Sequence, residues 1–224
     1  MTMSTTAAIE KLVDVDGFWT AARRETAADL MARAFVGFLF VLLSINLLDD
    51  FIRTQRLTGM LLLISEGLVV VFTIVRRRAF VVDRSAGARI ATSLSLVGPP
   101  LLRTADGRAL LPDEITALML AAGLCLVIAG KFTLGRSFGI APANRGIVAA
   151  GPYLHVRHPI YAGYLVAHLA FLAAHPRVWN LVIVLVADAA LVVRALIEER
   201  VLVRDPRYRA YCSRVGWHLV PGVF

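Results

Sequence analysis

Two short stretches of the 224-residue chain hold most of its reactive side chains. GPYLHVRHPIYAGYL, Gly151 to Leu165, crowds Arg157, His155, His158, two prolines and three tyrosines into the mouth of an apolar segment. RALIEER, Arg194 to Arg200, sets Arg194 and Glu198 at i and i+4, on one face of a helix, with Glu199 beside them. A guanidinium can hold a carboxylate or phosphate through two parallel N–H bonds. A histidine or glutamate within reach of a protic nucleophile can take its proton. Pro159 fits the first turn of a helix, where its missing N–H costs nothing, so Arg157 and His158 fall at the positive N-terminal end that attracts anions. Tyr161 and Tyr164 follow at helical spacing and continue the face begun by His158.

The elements that must position these groups are apolar helices. At 58% hydrophobic residues the chain exceeds the apolar share of about half that is usual for a soluble domain, which makes it a membrane protein. Six segments read as candidate spans: Ala34–Leu48, Leu57–Val75, Gly87–Leu102, Ile115–Gly130, Ile160–Ala174 and Val178–Ile197. Arg89, Gly98, Pro99 and Pro100 interrupt the third. The first thirty residues lack the apolar run of a signal peptide and read as an amphipathic helix lying at the interface. Cys125 and Cys212 sit in different settings and form neither a disulfide nor a metal spacing, so no metal is expected.

The net charge of +8 follows from orientation rather than from nucleic acid. With the N-terminus inside and six crossings, most basic residues fall on the cytoplasmic side, and only Arg53, Arg56, Arg103, Arg108 and Arg177 fall outside. Both termini are then cytoplasmic. Residues 1–130 read as the interfacial helix and scaffold spans, and residues 131–224 as the portion that carries the chemistry. KFTLGRSFGIAPANRGIVAAGPYLHVRH is too polar and too punctuated by glycine and proline to be a helix in lipid, and connections of that length are usually functional.

The last two apolar segments are joined by AHPRVWN and form a helical hairpin. Equal rise along antiparallel arms puts His158 opposite Glu198 and His168 opposite Asp188, within about a turn, with both polar ends back at the cytoplasmic surface. His168 and Asp188 read as a clamp between the arms. Glu66, in the middle of the second span, costs about 2.5 to 3.5 kcal/mol on insertion scales and reads equally as a functional acid or as a packing glutamate that could pair with Arg89.

GPYLHVRHPIYAGYL, then EERVL, then DPRYRAYCSRVGWHLVPGVF, resembles the C-terminal half of the isoprenylcysteine carboxyl methyltransferase family and its phospholipid methyltransferase relatives. LGRSF and GIVAAGPY upstream are similar to the corresponding stretch of bacterial members, so the resemblance covers about residues 130–224. It implies an all-α integral membrane bundle of about six transmembrane helices, with a cytoplasmic cofactor pocket. It also implies S-adenosylmethionine as cofactor and methyl transfer to a lipophilic small molecule, a lipidated substrate or a membrane lipid. Gly151, Tyr153, His158, Pro159, Tyr161 and Glu199 match positions that line the family's cofactor site, and Arg194 and Glu198 match its substrate end. A carboxylate acceptor, already ionised at neutral pH, could be fixed by Arg194 or Arg157, whereas a phenol, amine or thiol would need His158 or Glu198 as base. Asp205 and Pro206 stand where relatives often have a glycine-bearing turn.

Two other readings fit part of the pattern. The RHPxY box also suits an NADPH-dependent enzyme of the sterol reductase type, against which stand the adjacent glutamates and the short chain. A noncatalytic transport or assembly protein would use Glu66, His168 and Asp188 as a polar path through the core.

Overall fold

The computed structural model describes residues 57–103 and 109–223, with scattered helical positions between Leu30 and Ile52. The interfacial N-terminal helix and the span Ala34–Leu48 fall almost wholly outside the described residues, and so does the side chain of Glu66.

The chain is mostly helical. Helix α1, Leu57–Val75, coincides with the second expected span. Helix α2, Ala86–Val97, starts at Ser85, whose side chain accepts from Ala88 N, while Asp83 accepts from Ser85 N. Proline has no N–H to continue a helix, and Pro99 and Pro100 accordingly turn the chain into a 3-10 segment, Pro99–Leu101. The third expected span, Gly87–Leu102, is therefore not one continuous helix. Its 12 α-helical residues rise about 18 Å, short of a hydrocarbon core of about 30 Å.

Helix α3, Asp113–Leu134, places Asp113 and Glu114 in its first turn and Lys131 in its last, as the helix dipole favours. Helix α4, Pro159–Ala174, and helix α5, Val178–Leu202, form the hairpin, and the short helix α6, Pro206–Cys212, follows with Asp205 as its N-cap. Two two-residue strands, β1 at Val81–Val82 and β2 at Ala143–Asn144, pair antiparallel with Val81 opposite Asn144. Asp113–Ser137 and Val178–Leu202 are long and apolar enough to cross a membrane, and Pro159–Ala174 is a shorter apolar helix.

Helix α3 packs along α4, and α5 packs along α2. At the α3–α4 crossing a Cβ on Gly123 would stand 2.7 Å from Gly163 O, and one on Gly163 would stand 2.6 Å from Gly123 O. Only paired glycines let two backbones approach so closely. The two arms of the hairpin, by contrast, meet through long side chains. His168 Nδ1 lies 2.5 Å from Asp188 Oδ1, at the expected register.

The far end of the hairpin is fastened by Asn180, which is fully buried. Its side chain accepts from Arg103 N and donates to Arg103 O and His175 O, while Trp179 Nε1 donates to Leu101 O. A core of Val69, Val127, Phe138, Ile160, Tyr161, Leu191 and Ala195 lies beneath the other end. The outer face of α5 presents Leu181, Val182, Leu185, Val186 and Val193 to the surroundings, an apolar stripe suited to lipid.

Candidate functional site

The near end of the bundle gathers the end of α3, the start of α4, the end of α5 and the loop between α3 and α4. Gly151 opens the approach to α4 with a φ of +53°, and a Cβ there would stand 2.9 Å from Thr133 Oγ1, so a side chain is excluded on both counts. Pro159 begins α4 as expected and is buried. The intervening 3-10 turn, Gly151–Leu154, points Tyr153 inward.

Glu199 organises the base of the hairpin. A carboxylate only accepts, so the groups facing it donate. Its Oε1 receives His158 Nε2 at 3.0 Å and His218 Nδ1 at 2.7 Å, and its Oε2 receives Arg157 at 3.2 Å. Arg157 also donates through Nε to Val215 O at 2.8 Å and through its other terminal nitrogen to Cys212 O at 3.3 Å. The backbone N–H groups of Arg157 and His158 donate to Trp217 O and His218 O. The C-terminal tail is thereby laced to the start of α4.

One helical residue away, Glu198 turns to the other side. Its Oε2 accepts from the Tyr161 hydroxyl at 2.7 Å. The Tyr161 ring stacks on His158, with centroids 5.3 Å apart and planes within 2° of parallel, and Arg194 lies over Tyr161 at 5.3 Å from its centroid. Arg194 is 93% buried by its 7% exposure, donates to Ile140 O and leaves its Nε without a protein partner. A buried guanidinium N–H is costly unless it donates to something, so Arg194 can offer this atom to an acceptor in the cleft that it lines.

These groups line an open cleft of about 710 Å³, its mouth included. Six residues singled out from the sequence line it: Tyr153, Arg157, His158, Tyr161, Arg194 and Glu198. Gly151, Pro159 and Glu199 stand behind the lining and shape it. The sequence assigned no site role to Phe138, Arg145, Gly146, Tyr208 and Tyr211, which also line the cleft. The length and polarity of the loop and the paired tyrosines of the tail were the available signals.

The tail tyrosines stay neutral at physiological pH. Burial pushes Tyr211 up to about 12 and raises Tyr153 and Tyr208 as well. Tyr211 donates its hydroxyl to Tyr153 O at 2.7 Å, binding the tail to the turn before α4. Tyr153, Tyr208, Tyr211 and Val215 form a small core of their own. No His, Cys, Asp and Glu grouping among the described residues could hold a metal ion.

Residues 112–206 match the phospholipid methyltransferase family. The matched domain runs from the residue before α3 to the first residue of α6, so the loop, both hairpin arms and the two glutamates lie inside it. The matched stretch includes α3, and the part of the tail carrying Tyr208, Tyr211 and His218 follows it. Comparison with curated proteins gave no significant match. Over that stretch the chain is similar to a family of membrane methyltransferase type, and two of its described helices are long and apolar enough to cross a membrane.

Proposed function

We propose that the protein is an S-adenosylmethionine-dependent methyltransferase whose acceptor is lipophilic and enters from the bilayer. The observation that carries this reading is the cleft itself, where Arg194, Glu198, Tyr161 and His158 converge inside the matched domain, at the end of an apolar hairpin.

The lining suits the cofactor. Tyrosine faces and the Glu198 carboxylate favour a cationic ligand, and the unpartnered Arg194 Nε favours an anionic group. Tyr153, His158, Tyr161 and the loop residues Phe138 and Gly146 would hold the cofactor, with Gly151, Pro159 and Glu199 keeping them in place. When bound, S-adenosylmethionine supplies an electrophilic methyl group on a sulfonium sulfur. The chain's task is alignment, because an in-line displacement depends on holding nucleophile and methyl in register. Arg194 orients an ionised acceptor, and Tyr161 holds Glu198 at the cleft wall, where it can take a proton from a protic one. The core beneath Tyr161 and Arg194 keeps water from that side.

The remaining fold expectations belong to the same proposal. The chain crosses the membrane several times, the cleft end faces the cytoplasm, and the cofactor arrives from water while the acceptor arrives from lipid. The arginine-rich near end, with Arg77, Arg78, Arg136, Arg200 and Arg204 exposed, supports that orientation.

Titrating the purified full chain with S-adenosylmethionine, its demethylated product and NADPH tests the reading. Tight binding of the first two and not of the third is expected. Tight binding of NADPH alone would transfer the site to a reductase, and binding of none would leave a noncatalytic role. Incubating membranes with methyl-labelled cofactor then identifies the acceptor by the lipid that carries the label.

A further inference from the structure

The cationic groups of the described residues are distributed unevenly. Around the cleft end, Arg77, Arg78, Arg84, Arg89, Arg136, Arg200, Arg204, Arg207, Arg209 and Arg214 are all exposed. The acids at that end are already engaged: Glu198 and Glu199 in the site, Asp83 at the start of α2, and Asp205 with Arg207 at α6. At the far end, exposed Arg103 and Arg177 are matched by exposed Asp113 and Glu114.

These arginines form a collar rather than a single patch. Arg77 and Arg78 follow α1, and Arg136 sits in the turn after α3, where its Nε donates to Val75 O. Arg200 lies in the last turn of α5 and Arg204 just past its end, and both act electrostatically on Asp83 beside β1. Arg214 follows α6 on the tail. Immediately beyond the collar the helix faces turn apolar, with Ile74, Val75, Ile90, Leu94, Val193 and Leu196 exposed. A belt of guanidinium groups bordering an apolar side wall suits the plane of lipid phosphates, and no nucleic acid or soluble polyanion would need that wall.

We propose that the collar binds anionic phospholipid headgroups of the leaflet at the cleft end, and that it enriches them around the cleft mouth. Arg77 lies close enough to Gly146, a cleft residue, for a lipid held there to border the opening. Orientation in the membrane requires only an excess of positive charge near the spans. The proposal goes further, to retained anionic lipid, and it holds whether or not the cleft transfers methyl groups.

The test uses the full chain reconstituted in equimolar phosphatidylcholine and phosphatidylglycerol, extracted gently, with the retained lipid counted by native mass spectrometry. The wild type is expected to retain phosphatidylglycerol in excess. The triple variant Arg200→Gln, Arg204→Gln, Arg214→Gln leaves Arg76 to Arg78 to set orientation and touches no cleft-lining residue. It should lose about fivefold in anionic preference per arginine at low salt. Lysine at the same three positions should restore it, since the attraction is one of charge. Equal retention of both lipids by the wild type, undiminished preference in the glutamine variant, or failure of lysine to restore it would each overturn the proposal.

Discussion

The hydroxyl of Tyr161 donates to the carboxylate of Glu198 across the hairpin at 2.7 Å. One hydrogen bond therefore fixes the acid at the wall of the cleft and ties α4 to α5. Under the proposed chemistry, Glu198→Gln keeps the bond's geometry and removes the base. Turnover on a protic acceptor is expected to fall by about 10²-fold or more, with an unchanged thermal midpoint. Full activity in a folded Glu198→Gln protein would remove the residue from the mechanism.

Arg194 offers a sharper contrast, because its Nε has no protein partner. Arg194→Ala should cost about 10²-fold or more in kcat/KM, and Arg194→Lys should not rescue it, since an ammonium lacks the planar fork. Steady-state kinetics on the labelled lipid reads both. Rescue by lysine would mean that the site needs only charge.

Glu199 is expected to behave as a structural hub. Glu199→Ala leaves Arg157, His158 and His218 without their common acceptor, at a cost of about 1–3 kcal/mol for unpairing a partly buried charged network. The tail should come loose first. Limited proteolysis beyond Val203 ought to accelerate well before the hairpin melts, and a tail as resistant as that of the wild type would contradict the lacing described.

The tail also carries a pH signature. Burial holds Tyr211 up to about 12, above the value near 10 of an unfolded tyrosine. The neutral form is the one that packs, so its contribution is complete below about pH 10 and disappears as pH rises through about 12. Tyrosinate absorbance should therefore lag behind that of free tyrosine. Its late rise should coincide with proteolytic exposure of the tail, and titration of every tyrosine near pH 10 would contradict it.

A double-mutant cycle checks the clamp between the hairpin arms. His168→Leu and Asp188→Leu each leave a polar partner exposed to an apolar setting, so the two single losses should exceed what the double variant shows, with a coupling of about 1–3 kcal/mol. Additive losses in thermal unfolding would mean that the pair contributes nothing as a pair.

The hairpin register was legible before any coordinates, because rise per residue is constant and the connection is short. His168 meets Asp188 as that arithmetic requires. Rise fixes height but not direction around the axis. His158 accordingly takes Glu199 instead of Glu198, and Glu198 goes to Tyr161, since neighbouring residues on a helix point about 100° apart. Hydropathy marked α1 to within its ends, yet it joined α2 to a 3-10 turn, because the apolar run continues past Pro99 and Pro100 while the hydrogen bonding does not. The wall contributed by Phe138, Arg145 and Gly146 depends on the route of an irregular backbone, which no periodicity encodes.

Asn180 has a consequence for how the molecule can breathe. By capturing both backbone groups of Arg103 it makes the turn of the hairpin a fulcrum. Small angular excursions of α5 about that fulcrum grow along its length and are largest near Arg194 and Glu198, so a loosened pin at one surface would be felt as a widened opening at the other.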